Sequence, residues 1–268
     1  MAFLHQDLID RISACAKEAG RIMLGATDID HKTHEKGSYS NPVTDYDRQV
    51  QEYLFRELKA ILPDAAFMGE EEGQDTFRDE YRKGWLFVID PIDGTNNFVH
   101  RFRPSTTSIG LFKDGKPYIG IIYNPYWDEL FTAEKGCGAY LNGRPIHSST
   151  EPLSRSMVSL GTAVYYGDAI EHRAMQTAQY YLDRCVDLRR VGVASYDLCL
   201  VAMGVNGLYF ETNLALWDFA AGAVILEEAG GKLTDMDGNE IPFTGYSSVL
   251  AASEGVAKED YLPNIEQA

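Results

Sequence analysis

The chain has 268 residues, 45% of them apolar, which is enough for one large domain or two closely joined ones around a substantial core. Its formal net charge of −16 disfavours nucleic acid and anionic membrane surfaces as partners. No apolar run approaches the ~20 residues of a membrane-spanning helix. The N-terminus lacks the basic start and unbroken apolar stretch of a secretion signal, so a cytoplasmic location is expected. Cys15, Cys137, Cys185 and Cys199 are scattered without a CxxC pair, as expected of thiols in a reducing compartment.

In chain order, Leu4, Leu8, Ile12, Ala16, Ala19 and Met23 recur at helical spacing and predict an amphipathic first helix. A polar loop, HKTHEKGSYSNP, follows. Thr44 reads as the N-cap of a second helix, with Val50, Leu54, Leu58 and Ile61 on one face and Pro63 ending it. AAFMG and WLFVID read as strands. TTSIGLF and PYIGIIYN flank a Lys-Asp-Gly-Lys turn, a hairpin signal, and DELFTAE and GAYL lead to a second turn at Asn142-Gly143. The first half, residues 1–150, thus reads as two helices over a largely antiparallel sheet. Residues 151–268 alternate strand and helix as a smaller α/β half. SMVSLGT, GLYFE, KLTD and SVLAAS are its predicted strands. Ala174 to Leu182, ASYDLCLVAMG and LWDFAAGAVILEEAGG are its predicted helices.

The most informative segment is WLFVIDPIDGTNNFVH, Trp85 to His100. An apolar strand runs into Asp90, and Pro91 biases Asp90 to an extended conformation, so the strand is expected to end there. Asp93 follows across a rigid turn, and the two carboxylates converge. Gly94 lets a ligand approach the backbone, and Thr95 adds a hydroxyl. If Gly94 and Thr95 open a helical turn, their N–H groups form an anion site. Other acids fit the same centre: Glu70 after AAFMG, Asp47 at the start of the second helix, and Asp218 at the start of the last long one. Taken singly, each also fits a surface loop or a helix N-terminus.

Together these segments resemble the inositol monophosphatase family, over roughly residues 5 to 255. The matching motifs are VTDYD ending in Asp47, GEE at Glu70, DPIDGTNNF from Asp90 to Phe98, and WDFAAG from Trp217 to Gly222. The resemblance implies a layered α-β-α-β-α fold, a homodimer, lithium sensitivity and Mg2+-dependent hydrolysis of small phosphate monoesters. It places one ion on Glu70, Asp90 and the carbonyl of Ile92, and a second on Asp90, Asp93 and Asp218. A third, weaker ion would sit near Glu70. Asp47 and Thr95 would lie beside the attacking water, and Glu70 would help orient it. Gly94 and Thr95 would bind phosphate. Independently of the resemblance, four converging carboxylates need cations, since two like charges ~4 Å apart repel by about 4 kcal/mol at an effective dielectric near 20. Oxygen ligands suit magnesium.

For the substrate, the resemblance points to Asp93, Gly192, Ala194 and Glu211, the last accepting a hydroxyl of inositol or a sugar. Val193 stands where many relatives carry Thr or Ser, which weakens a strict inositol assignment. Inositol monophosphate is the first expectation, and fructose 1,6-bisphosphate or a broad set of sugar phosphates the alternative. A bisphosphate would need a second cation, which Lys36, Arg189 or Arg190 could supply. Arg189 also fits a subunit contact or a structural ion pair, and Lys36 a solvated lysine. A regulatory binding protein with secondary catalysis is the reading from a different class.

Overall fold

The computed structural model describes residues 3–35, 42–71, 76–162 and 167–261. In α1 (Gln6–Leu24), Ile9, Ile12, Ala16, Ala19 and Met23 share one buried face. The polar segment after it carries two short paired strands, β1 (Thr33–Glu35) and β2 (Pro42–Thr44), where the sequence predicts only a loop. Strands of three residues are too short for an alternating pattern to show. Thr44 caps α2 (Asp45–Ile61) as expected. Its hydroxyl accepts from the N–H groups of Tyr46 and Asp47, and the Asp47 carboxylate accepts from the Thr44 N–H, closing a capping box.

The next strands are β3 (Ala66–Gly69) and β4 (Trp85–Asp93), followed by a single short helix, α3 (Thr95–Val99). Then come β5 (Thr106–Lys113), β6 (Lys116–Asn124), β7 (Glu129–Glu134), β8 (Ala139–Leu141) and β9 (Arg144–Ile146). They form a sheet in sequence order from β3 to β9, in which β3 and β4 pair in parallel and every other pair is antiparallel. Both predicted turns form with two consecutive left-handed residues, Asp114-Gly115 (φ 51° and 76°) and Asn142-Gly143 (φ 50° and 76°), matching the twist of the hairpins they close.

Strand β4 corrects the expectation that it ends at Asp90. It continues through Pro91 to Asp93, and its register against β5 shifts between Asp90 and Asp93. Proline cannot donate to the ladder, so a bulge there costs little. The bulge has a structural consequence. Residues three apart on a regular strand face opposite sides, and one residue of slip returns Asp93 to the side of Asp90.

The rest of the chain adds β10 (Met157–Leu160), α4 (Asp168–Leu182), β11 (Asp187–Arg189), α5 (Ala194–Ala202), β12 (Asn206–Leu214), α6 (Leu216–Glu228), β13 (Lys232–Thr234), β14 (Ser247–Ala252) and a last turn, α7 (Lys258–Tyr261). Helix α4 starts several residues ahead of the predicted Ala174. The second sheet runs β11-β10-β12-β14-β13, with β10 parallel to both neighbours and β14 antiparallel to both of its own.

Alternation along the strands sets the layers. Phe87, Ile89, Ile109, Leu111, Ile119 and Ile121 pack against α1 and α2. From the opposite face of the same sheet, Leu86, Val88, Phe112, Ile122 and Phe131 pack against α5 and α6, which also cover Tyr209, Val249 and Ala251 of the second sheet. The far face of that sheet, with Val158, Leu208, Phe210 and Leu250, meets Ala178 and Tyr181 of α4. The order is therefore α-β-α-β-α, as expected. Among the described residues no helix is long and apolar enough to cross a membrane.

Helix α6 lies so close to the first sheet that a Cβ on Gly120 would stand 2.3 Å from the carbonyl oxygen of Ala221. Backbone cannot yield there as a side-chain tip can. Gly120→Ala is expected to destabilise the fold by about 1–3 kcal/mol. Denaturant melts would show this as a lower midpoint at unchanged slope, and an unshifted midpoint would contradict the packing.

Candidate active site

The ends of β3 and β4, the strand β12 and the starts of α3, α5 and α6 meet around one cavity. Its wall carries Glu70, Asp90, Asp93, Glu211 and Asp218, together with Ile92, Gly94, Thr95, Gly192 and Ala194. Asp47 stands behind this wall rather than on it. It is fully buried, with Oδ1 3.2 Å from the Thr95 hydroxyl and Oδ2 held by the N–H (2.7 Å) and hydroxyl (2.6 Å) of Thr44. The Thr95 hydroxyl also lies 3.0 Å from the carbonyl of Ile92, so its one proton has two acceptors.

Each aspartate on the wall is tied to a backbone N–H. Asp90 Oδ1 accepts from Ile92 (3.1 Å), Asp93 Oδ2 from Ser195 (2.6 Å), and Asp218 Oδ2 from Ala215 (2.8 Å). Glu70 is placed by its neighbour. Gln51 on α2 grips the Glu71 peptide from both sides, its amide donating to the carbonyl (2.9 Å) and accepting from the N–H (3.0 Å). Glu211 accepts a hydrogen bond from the buried Tyr209 hydroxyl at 2.6 Å. Gly94 has φ of +83°, and a Cβ there would stand 2.6 Å from Val193 Cγ2. Val193 is thus a core residue beneath the loop, 1% exposed.

Burial and mutual repulsion push these carboxyls up. Asp47 is pushed up to about 7 by burial, against the opposing Thr44 hydrogen bond, with Glu70 and Glu71 adding to the rise. Asp93 is pushed up to about 6, mainly by burial, with the Ser195 hydrogen bonds opposing. Asp90 lies well above the ordinary carboxylate range through burial and then the charges of Glu70, Asp93 and Asp218. Asp218 does so through burial, Asp93 and Glu70.

Among the described residues, no group of three or more acidic, histidine or cysteine side chains is arranged to hold a metal ion by itself. The donor set still fits magnesium. It consists of converging carboxylates and a backbone carbonyl, hard oxygens whose charges a cation would relieve. Magnesium is typically held by one or two carboxylates, with water and substrate phosphate completing the shell.

The two candidate arginines separate. Arg189 is exposed and pairs with Asp187 on β11. Arg190 lies on the cavity wall. Lys36 is outside the described residues. Gln51, Ser195 and Tyr209 escaped the sequence reading, because each acts through another side chain and carries no motif of its own. Asn96 and Asn97 also line the cavity, and they belong to the DPIDGTNNF run already singled out.

The inositol monophosphatase family model matches residues 5–268. The chain belongs to that family. With it comes the reaction class, phosphoric monoester hydrolysis. Inositol monophosphatase 1 of Solanum lycopersicum is 37% identical over 258 residues, covering 94% of this chain and 92% of the relative. The extragenic suppressor protein suhB of Bartonella henselae superposes with a TM-score of 0.82 at 31% identity, covering 93% of this chain and 94% of the other. An inositol monophosphatase II from Staphylococcus aureus, solved with inositol monophosphate bound, gives 0.78 at 28% identity, covering 97% and 94%.

A carboxyl raised in the fold favours folding while it stays protonated. That contribution is whole below about pH 4 and is lost as pH climbs through the raised values of Asp93 and Asp47, about 6 and about 7. Chelator-treated protein is therefore expected to lose thermal stability between about pH 5 and pH 8. Mg2+ should restore more at the higher pH, since ligands bind deprotonated. Melting curves with and without chelator across this range check it, and a profile flat with pH and blind to Mg2+ would contradict it.

Proposed function

We propose that this chain hydrolyses inositol monophosphate and closely related polyol phosphates in a Mg2+-dependent reaction, by direct attack of water. The observation that carries this reading is the convergence of Glu70, Asp90, Asp93 and Asp218 on one cavity, beside Gly94 and Thr95. Inositol monophosphate as the ligand of a relative's solved structure supports the substrate class.

The residues divide the work as follows. Glu70, Asp90 and the Ile92 carbonyl would hold one ion, and Asp90, Asp93 and Asp218 a second, with a third, weaker one near Glu70. Bound magnesium supplies Lewis acidity toward phosphate oxygens and water. Thr95, backed by buried Asp47, orients the attacking water and passes its proton inward, with Glu70 assisting as a base. The N–H groups of Gly94 and Thr95 bind phosphate oxygens. Glu211, held by Tyr209, accepts a substrate hydroxyl, and Asp93, Gly192 and Ala194 border the polyol. A cytoplasmic homodimer, sensitive to lithium, belongs to the same proposal. So does the division near residue 150, which leaves most metal ligands in the first half and Asp218 with the substrate-selecting residues in the second.

Phosphate release from inositol 1-phosphate should require Mg2+, and hydrolysis in 18O-labelled water should place the label in the phosphate released. A trapped phosphorylated side chain would overturn direct attack. Asp93→Asn keeps the size and removes a charge at the site. Its turnover should fall further than the ~10–100-fold that losing an outer-shell partner costs. Circular dichroism should show the fold intact, and an Asp93→Asn protein of normal activity would remove Asp93 from the site.

A further inference from the structure

Behind the substrate side of the cavity lies an acid that the reaction above leaves unused. Strand alternation puts Ser159 of β10, and Tyr209 and Glu211 of β12, on the side of the second sheet that α5 covers. From α5, Asp197 enters the same buried layer and is 1% exposed. Asn206 Nδ2 donates to Ser159 Oγ at 3.1 Å, which leaves the hydroxyl proton for Asp197. Among the described residues no donor reaches Asp197 Oδ1. Glu211 differs in both respects. It lines the cavity, and its Oε2 accepts from the Tyr209 hydroxyl at 2.6 Å. Burial holds that phenol in its neutral, donating form. Gly161 makes room for the pose, since the Cβ it lacks would stand 1.8 Å from Glu211 Oε2. Burial also pushes the Asp197 carboxyl well above the ordinary carboxylate range. The Ser159 hydroxyl opposes this, the charges of Glu211 and Asp93 add to it, and Arg190 opposes it.

We infer that Asp197 and Glu211 act as a pair holding one proton, with the proton on Asp197 and the charge on Glu211, and that Asp197 is thereby a positioning residue for the selection of ring hydroxyls. This rests on the phosphatase reading above. Two neighbouring buried carboxyls resist ionising together, and the one with a donor and an open side takes the charge. A charged Glu211 is an acceptor only, so it grips a hydroxyl of the polyol through a charge-assisted bond. A protonated Glu211 would lose that bond. Asp197 touches no substrate and acts through Glu211.

Inositol 1-phosphate and cyclohexyl phosphate share a six-carbon ring and differ in its hydroxyls. With Mg2+, the ratio of their kcat/KM values reads the Glu211 contact. Tyr209→Phe removes the donor that keeps the charge on Glu211 and lets the proton pass to it from Asp197. The ratio should fall about 10-fold, through KM for inositol 1-phosphate. Asparagine cannot take up the charge, so Asp197→Asn in the Tyr209→Phe background should recover most of the ratio. Infrared difference spectra of the Mg2+-loaded protein against Asp197→Asn should show the loss of a protonated-carboxyl band at neutral pH. Loss of carboxylate bands instead overturns the inference, and so does a double variant without recovery. Asp197→Asn alone lowering the ratio as far as Tyr209→Phe does also overturns it, since Asp197 would then carry the charge. An equal loss for both esters in Tyr209→Phe overturns it as a general loss of packing. Hydrolysis of inositol 1-phosphate no faster than of cyclohexyl phosphate in the unsubstituted protein overturns the selection alone. No hydrolysis of either overturns the phosphatase reading as well.

Discussion

The structure turns on holding like charges together in a buried place. Asp47, Asp90 and Asp93 are each less than a tenth exposed, and Asp90 and Asp93 share one cavity with Asp218 and Glu70 while Asp47 lies behind its wall. Desolvation and mutual repulsion both oppose this arrangement. What holds it is a common device: one oxygen of each aspartate accepts from a main-chain N–H, at Thr44, Ile92, Ser195 and Ala215. Three of those N–H groups lie at the starts of α2, α5 and α6, where the helix dipole favours negative charge. The scaffold thereby fixes the carboxylates in place without neutralising them, and the remaining charge is what a cation would meet.

The same device explains the architecture. Helices α5 and α6 lie between the two sheets, and their N-termini meet the end of β4 only because both helices pack closely. A Cβ on Gly222 of α6 would stand 2.4 Å from the Leu198 side chain of α5, and Gly120 admits the α6 backbone to the first sheet. Packing in the middle layer is therefore tied to the position of Asp93 and Asp218. The Ser195 hydroxyl, 2.7 Å from that of Thr106 on β5, adds a polar tie at the same junction. Core contacts that look purely structural thus bear on the geometry of the site.

The bulge at Pro91 does comparable work within one strand. Without it the two aspartates of the DPID run would point to opposite faces of the sheet, one of them into the layer under α1 and α2. Proline both permits and localises the slip. Gly94 then takes a left-handed conformation that most residues avoid, over a valine that leaves no room for a side chain. Two residues on, the Ser195 N–H holds Asp93.

Much of this was legible in the chain itself. Local signals identified α1, the Thr44 cap, both hairpin turns and the helix after Ala215, because apolar periodicity and left-handed turn residues act over a few neighbours. The acidic motifs named the carboxylates for a similar reason, since oxygen-ligand chemistry needs those residue types at those places. Tertiary structure decided what depends on distant partners. It continued β4 past Asp90, because β5 supplies a register that no local pattern contains. It set Asp47 behind Thr95, recruited Gln51, Ser195 and Tyr209 as anchors, and turned Arg190 toward the cavity while Arg189 paired with Asp187 outside it. Adjacent residues on one short segment meet different surroundings because the cavity wall is assembled from distant elements only by the fold.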